Sequence, residues 1–158
     1  MTTDRERRPV TDWDLLLKQA EALLSASRDR VASAANLSAL LYAELAEVNW
    51  VGFYFRRGDV LVLGPFQGLP ACVDIPLGAG VCGTAAAGNT VQRVADVHAF
   101  EGHIACDANS ASEIVLPLAR DGEVQGVLDL DSPVTDRFSA ADEAGLRRIA
   151  EAWLAAVD

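Results

Sequence analysis

Apolar residues recur at a helical interval between Trp13 and Ser25, at Leu16, Leu17, Ala20, Leu23 and Leu24, with Thr11 or Asp12 placed to cap the first amides. A second helix is predicted from Asn36, another capping type, through Leu37, Leu40, Leu41 and Leu45. The pattern then turns to strands. Residues 48–56 (VNWVGFYFR) and 59–66 read as two strands around a turn at Arg57-Gly58. The glycine-bracketed run from Gly78 to Gly88 predicts a tight turn and a short helix that stops at Gly88. Residues 90–94 read as a strand, and residues 95–112 have no clear period. Residues 113–119 and 123–131 flank Arg120-Asp121-Gly122 as a second hairpin. Ser139 followed by Asp142 resembles a capping box and opens a last helix, with Ala144, Ile149 and residues 153–157 expected to pack inward. Helices and strands fall in groups instead of alternating, so the fold class expected is α+β with an antiparallel sheet.

Composition narrows the setting. Half of the 158 residues are hydrophobic, enough for a core without staples, so a single domain is expected over residues 11–158 behind a flexible tail of residues 1–10. No apolar run approaches a membrane span, and the first residues lack the apolar centre of a signal peptide, so the expected location is the cytoplasm. Thiols there stay reduced, and a disulfide is more often catalytic than structural. The chain carries 13 basic and 23 acidic residues, a net charge of −10, which argues against nucleic acid as a partner. A cationic or zwitterionic small molecule suits that charge better.

The acidic residues of the second hairpin carry the first chemical signal. Asp129 and Asp131 are two apart on a strand and share a face. A two-residue loop of Asp121-Gly122 would pair Glu113 with Leu130 and mix acidic and apolar residues on both faces. A three-residue loop, with Gly122 left-handed, pairs Ala119 with Glu123, Ile114 with Leu128 and Glu113 with Asp129. Register follows the buried face, so the second arrangement is predicted. Three carboxylates on one patch repel one another, which favours holding a proton or binding a cation. A solvated acidic strand end is the plain alternative.

Trp50, Gly52 and Tyr54 share one strand face, while Val51, Phe53 and Phe55 share the other and read as core. Two aromatic rings across a glycine can hold a methylthio group, although ordinary packing beneath a helix gives the same pattern. Three cysteines, Cys72, Cys82 and Cys106, lie within thirty-five residues, and an odd number cannot all pair within one chain. Cys82 falls near the start of the short helix, where the helix dipole is expected to lower a thiol pKa. Cys106 sits in the irregular segment among polar residues. His98, His103 and Cys106 with another cysteine could bind zinc, but no CxxC pair accompanies them, so no metal is expected.

Together, Asn49-Trp-Val-Gly-Phe-Tyr, Leu63-Gly-Pro-Phe-Gln-Gly, Pro70-Ala-Cys, Gly80-Val-Cys-Gly-Thr-Ala, Asp96-Val-His-Ala-Phe, Gly102-His-Ile-Ala-Cys-Asp, Ser112-Glu-Ile-Val and Gly126-Val-Leu-Asp-Leu-Asp-Ser-Pro resemble the free methionine-(R)-sulfoxide reductases, enzymes of the GAF-domain fold. The resemblance runs from about Trp13 to Trp153. It implies a GAF-like antiparallel sheet of about six strands with helices packed on it, usually in a homodimer, and no bound cofactor. It also implies that Cys106 attacks the sulfoxide sulfur and becomes a sulfenic acid. Cys72 then resolves this as a disulfide that thioredoxin reduces. Cys82 matches a third family cysteine, either an alternative resolving thiol or a supporting residue. Glu113, Asp129 and Asp131 would bind the substrate ammonium and help protonate the sulfoxide oxygen, and Trp50 and Tyr54 would hold the methyl group. A GAF module that binds a small ligand without turnover is the competing reading.

Overall fold

The computed structural model describes residues 10–104 and 109–158. Six strands form one antiparallel sheet in the order β3-β2-β1-β6-β5-β4, comprising β1 (Trp50–Arg57), β2 (Val60–Gly68), β3 (Asp74–Pro76), β4 (Gln92–Val94), β5 (Ser112–Arg120) and β6 (Glu123–Ser132). Among the described residues four α-helices accompany it: α1 (Trp13–Leu24), α2 (Arg30–Glu44), α3 (Gly80–Gly88) and α4 (Ala140–Ala156). The expected α+β class with an antiparallel sheet of about six strands is therefore observed.

The sheet separates two apolar clusters because side chains alternate along each strand. Val51, Phe53, Ile114, Leu116, Leu118, Leu128 and Leu130 point to one face, where α1, α2 and α4 cover them. Trp50, Tyr54, Val115 and Val127 point to the other, against Val81, Cys82, Ala85 and Ala86 of α3. The helical ends are fixed by caps. The Asp12 side chain accepts from the Leu15 amide at 3.0 Å, and Ser139 and Asp142 form the reciprocal capping box at the start of α4.

Several local expectations are corrected. Helix α2 begins six residues earlier than Asn36, capped by Asp29, whose carboxylate accepts from the Ala32 amide at 2.8 Å. Its first turns bury Ser33 and Ala34, small residues that a search for a leucine period passes over. The first hairpin turns at Gly58-Asp59, since Arg57 pairs with Val60 and Gly58 takes the positive φ of 63°. In α4 the inward residues near the start are Gly145 and Leu146, while Ala144 is exposed. Strand β3 has no counterpart in the sequence pattern. It is three residues long, and of these only Ile75 is buried, too little for a period to register.

The second hairpin is the informative correction. Its loop is the two-residue Asp121-Gly122, both with positive φ (54° and 79°), as a type I′ turn requires. Arg120 pairs with Glu123 and Ala119 with Val124, but Leu118 pairs with Gly126, so one extra residue is accommodated in β6. That bulge restores the parity the turn alone would have broken. Glu113 stands opposite Asp131 instead of Asp129, and Ile114 opposite Leu130 instead of Leu128. The faces are as expected, because a shift of two residues leaves every side chain on its own side.

Candidate active site

The ladders β5–β6 and β6–β1 bring the acidic and aromatic residues into one row. Glu113 is paired with Asp131, which is paired in turn with Trp50, and Asp129 is paired with Gly52. Tyr54 follows two residues along β1 on the same face. This places Trp50, Tyr54, Glu113, Asp129 and Asp131 around a single small cavity of about 40 Å³, roofed by the start of α3 with Cys82 and bordered by Pro70, Ala71, His103, Ile104 and Ser110.

The glycine between the aromatic residues is required by the ring packing. A Cβ at Gly52 would lie 2.5 Å from the Trp50 ring and 2.5 Å from the Phe66 Cβ. Trp50 therefore leans across its own strand over Gly52 and stacks on Phe66 and Tyr54, with ring centroids 5.3 and 6.0 Å apart. Its indole Nε1 donates to the Leu69 carbonyl at 3.1 Å. The Tyr54 hydroxyl donates to the Cys72 carbonyl at 3.0 Å, so this ring also anchors the backbone of a cysteine-bearing segment. Burial and the surrounding acids raise the Tyr54 pKa, and the phenol stays protonated.

Burial dominates the acids. Glu113 and Asp129 are 7% and 5% exposed. Desolvation, followed by the negative charge of Asp131, raises the Asp129 pKa from its ordinary value to about 8. Desolvation and then the charge of Asp129 raise Glu113 well above the carboxylate range. Asp131 is half-buried. One carboxylate oxygen of Asp129, Oδ1, and the Ser110 hydroxyl are buried without a hydrogen-bond partner among the described residues. Near neutral pH the buried Glu113 and Asp129 thus hold protons, the condition for delivering one to a poor leaving group.

The thiols divide. Cys82, the third residue of α3, is free and buried. Its Sγ lies 4.0 Å from Glu113 Oε2. The expected dipole effect is overruled: desolvation, then the charges of Asp129 and Glu113, push this thiol well above its ordinary pKa. A helix end gives a partial charge within one turn, whereas full loss of hydration penalises a thiolate far more. Cys72 is half-buried just before β3 and is disulfide-bonded. The position expected of the nucleophile, Cys106, lies outside the described residues, and the zinc set considered and set aside above, His98, His103 and Cys106, falls partly there too. His98 and His103 meet edge to face at 6.4 Å. Burial, then the neighbouring His98, lowers the His103 pKa.

Sequence reasoning missed Ser110, His103 and Ile104 as cavity residues. All three lie in the segment without period, where only tertiary folding decides which side chains turn inward.

Comparison with known proteins gives concordant matches. A GAF-domain family model matches residues 25–158. The chain is 61% identical over 142 residues to protein YtsP of Bacillus subtilis, covering 89% of this chain and 87% of that protein. It is 57% identical over 134 residues to the free methionine-R-sulfoxide reductase of Escherichia coli, covering 85% and 81%. The Staphylococcus aureus protein fRMsr, solved in complex with its substrate, superposes with a TM-score of 0.91 at 48% identity, covering 99% of this chain and all of that one.

Proposed function

This chain belongs to the free methionine-(R)-sulfoxide reductase family of GAF-domain proteins, and we propose that it reduces free L-methionine-(R)-sulfoxide to methionine. The observation that carries the reading is the single row of Glu113, Asp131 and Trp50 across three strands, with Asp129 and Tyr54 beside it. Free methionine sulfoxide presents a methylsulfinyl group at one end and an ammonium at the other. The stacked rings of Trp50 and Tyr54 suit the methyl group, and the carboxylates suit the ammonium. Peptide-bound methionine lacks that ammonium and would leave the acids without a cation.

In this proposal the Cys106 thiolate attacks the sulfoxide sulfur while Glu113 or Asp129 supplies a proton to the oxygen. The oxygen passes to Cys106 as a sulfenic acid and methionine departs. The Cys72 thiol then condenses with the sulfenic acid, forming a disulfide and releasing water. Thioredoxin restores both thiols, so two electrons and two protons convert one sulfoxide to one thioether and one water. The protonated state of the buried Cys82 fits a supporting residue better than an attacking one. A cytoplasmic location and a homodimer belong to the same proposal. Among the described residues no helix is long and apolar enough to cross a membrane.

The test is direct. Purified protein is incubated with each epimer of free methionine sulfoxide and with dithiothreitol or thioredoxin, and methionine is quantified. Release from the R epimer alone is expected, and its absence would refute the enzyme in favour of a ligand-binding module. Cys106→Ser should abolish even a single turnover. Cys72→Ser should release one equivalent of methionine and then stall with thioredoxin as the reductant.

A further inference from the structure

We infer that Cys82, Glu113 and Asp129 form a binding site for one divalent cation of borderline softness, the class of zinc and cobalt. One sulfur and two carboxylate oxygens, supplied by a helix and two neighbouring strands, lie within 4.8 Å of one another, and all three residues are buried. A tetrahedral ion with bonds of about 2.0–2.3 Å holds its ligands roughly 3.3–3.8 Å apart, so the side chains need draw in by at most about 1.5 Å. Two buried polar atoms, one on Asp129 itself and one on a further residue, line the same cavity. Asp129 Oδ1 and the Ser110 hydroxyl are without a partner among the described residues. Buried polar atoms are nearly always satisfied, and a cation among three acidic groups would satisfy the Asp129 oxygen and cancel the repulsion at once.

The donor set selects the metal. A thiolate disfavours magnesium and calcium, which take oxygen ligands, and two carboxylates disfavour copper(I). Binding displaces the thiol proton and the protons held on the carboxyls, and these pass to solvent. The protein supplies three ligands, and the fourth position is left to solvent or to the Ser110 hydroxyl. A metal held here would occupy the acids that the reductase reading assigns to substrate, so zinc would act as an inhibitor. That consequence rests on the proposed function, whereas the site itself rests on geometry alone.

The test uses the full chain with Cys72→Ser and Cys106→Ser together, leaving Cys82 as the sole thiol. Cobalt(II) titration should give one equivalent bound with a thiolate-to-cobalt charge-transfer band. Adding Glu113→Gln or Asp129→Asn should weaken binding by at least the roughly 10- to 100-fold that loss of a mere ligand-supporting group costs. Circular dichroism confirms that each variant is folded, and two isosteric variants guard against one failing to fold. Absence of the band overturns the inference, as does a band that neither carboxylate variant weakens, which would mean an adventitious complex of one cysteine. Because the double variant lacks the proposed nucleophile, this readout is independent of turnover. A wild-type protein that releases no methionine from the R epimer, alongside normal cobalt binding, would remove the reductase reading and leave the metal site standing.

Discussion

The Cys82 sulfur lies 4.0 Å from the Glu113 carboxylate inside a pocket that Asp129 also enters. Burial first, and then the charge of Asp129, disfavours ionisation of both groups, so the pair is held as a thiol and a carboxylic acid. A cysteine at a helix start is ordinarily read as reactive. Here its neighbours reverse that reading.

Alkylation measures this state. In protein carrying Cys72→Ser and Cys106→Ser, iodoacetamide at pH 7.5 should modify Cys82 at least about tenfold more slowly than a free cysteine, since each unit of pKa removes a factor of ten in thiolate. At pH 9, above the Asp129 pKa of about 8, Asp129→Asn should speed the reaction by removing the largest nearby charge. A rate equal to that of free cysteine would mean that Cys82 titrates as an ordinary thiol and would contradict the assignment.

The pH dependence of stability should carry the mark of Asp129. Its folded pKa is raised to about 8, so the folded protein holds a proton that the unfolded chain releases near pH 4. The native state binds more protons over this interval, and its stability therefore falls as pH rises. The contribution is fully present below about pH 4 and lost as pH passes through about 8. Urea midpoints of the reduced protein between pH 5 and 9 should fall more steeply for wild type than for Asp129→Asn. Parallel slopes would contradict the assignment.

Glu113→Gln keeps the shape of the site and removes a transferable proton. If Glu113 is the acid, kcat/KM for free methionine-(R)-sulfoxide should drop by about 10²- to 10⁴-fold, the usual range for general acid catalysis. A loss carried entirely by a higher KM, with kcat unchanged, would assign Glu113 to substrate binding, with Asp129 left as the acid.

Gly52→Ala tests the aromatic wall. The new methyl would meet the Trp50 ring and the Phe66 Cβ at 2.5 Å, and the strand backbone cannot retreat from both. Overpacking of this kind costs about 1–3 kcal/mol, read as a lower urea midpoint. The displaced Trp50 ring should also raise KM and shift the intrinsic fluorescence.

Arg137 and Asp142 supply a test remote from the cavity. The guanidinium donates to Asp142 Oδ2 at 2.9 Å and to the Ala46 carbonyl at 2.8 Å, with Arg137 and Asp142 both buried. The same Asp142 oxygen accepts from the Ser139 amide. Asp142→Ala removes a buried carboxylate from the Arg137 guanidinium and should cost about 3–5 kcal/mol, measured by denaturant unfolding, with the site's pH behaviour unchanged.

The alternation of side chains along each strand, a property of the sequence alone, determined much of this site. Glu113, Asp129 and Asp131 gather on one face because Ile114, Leu118, Leu128 and Leu130 must be buried on the other, and that demand holds for any register shift of two. Trp50 and Tyr54 join them by the same period, and the Ser139–Asp142 capping box was legible as a local motif. The tertiary structure decided what depends on distant partners. A type I′ turn followed by a bulge, and not a three-residue loop, sets Asp131 opposite Glu113, because the sheet recovers its buried face within the ladder. The short strand β3 exists only because β2 offers it an edge. The chemical state of Cys82 was invisible in the sequence, since a thiol pKa is fixed by desolvation and by charges brought from two strands beneath its helix. Local periodicity assigns a residue to a face, and only folding assigns it neighbours.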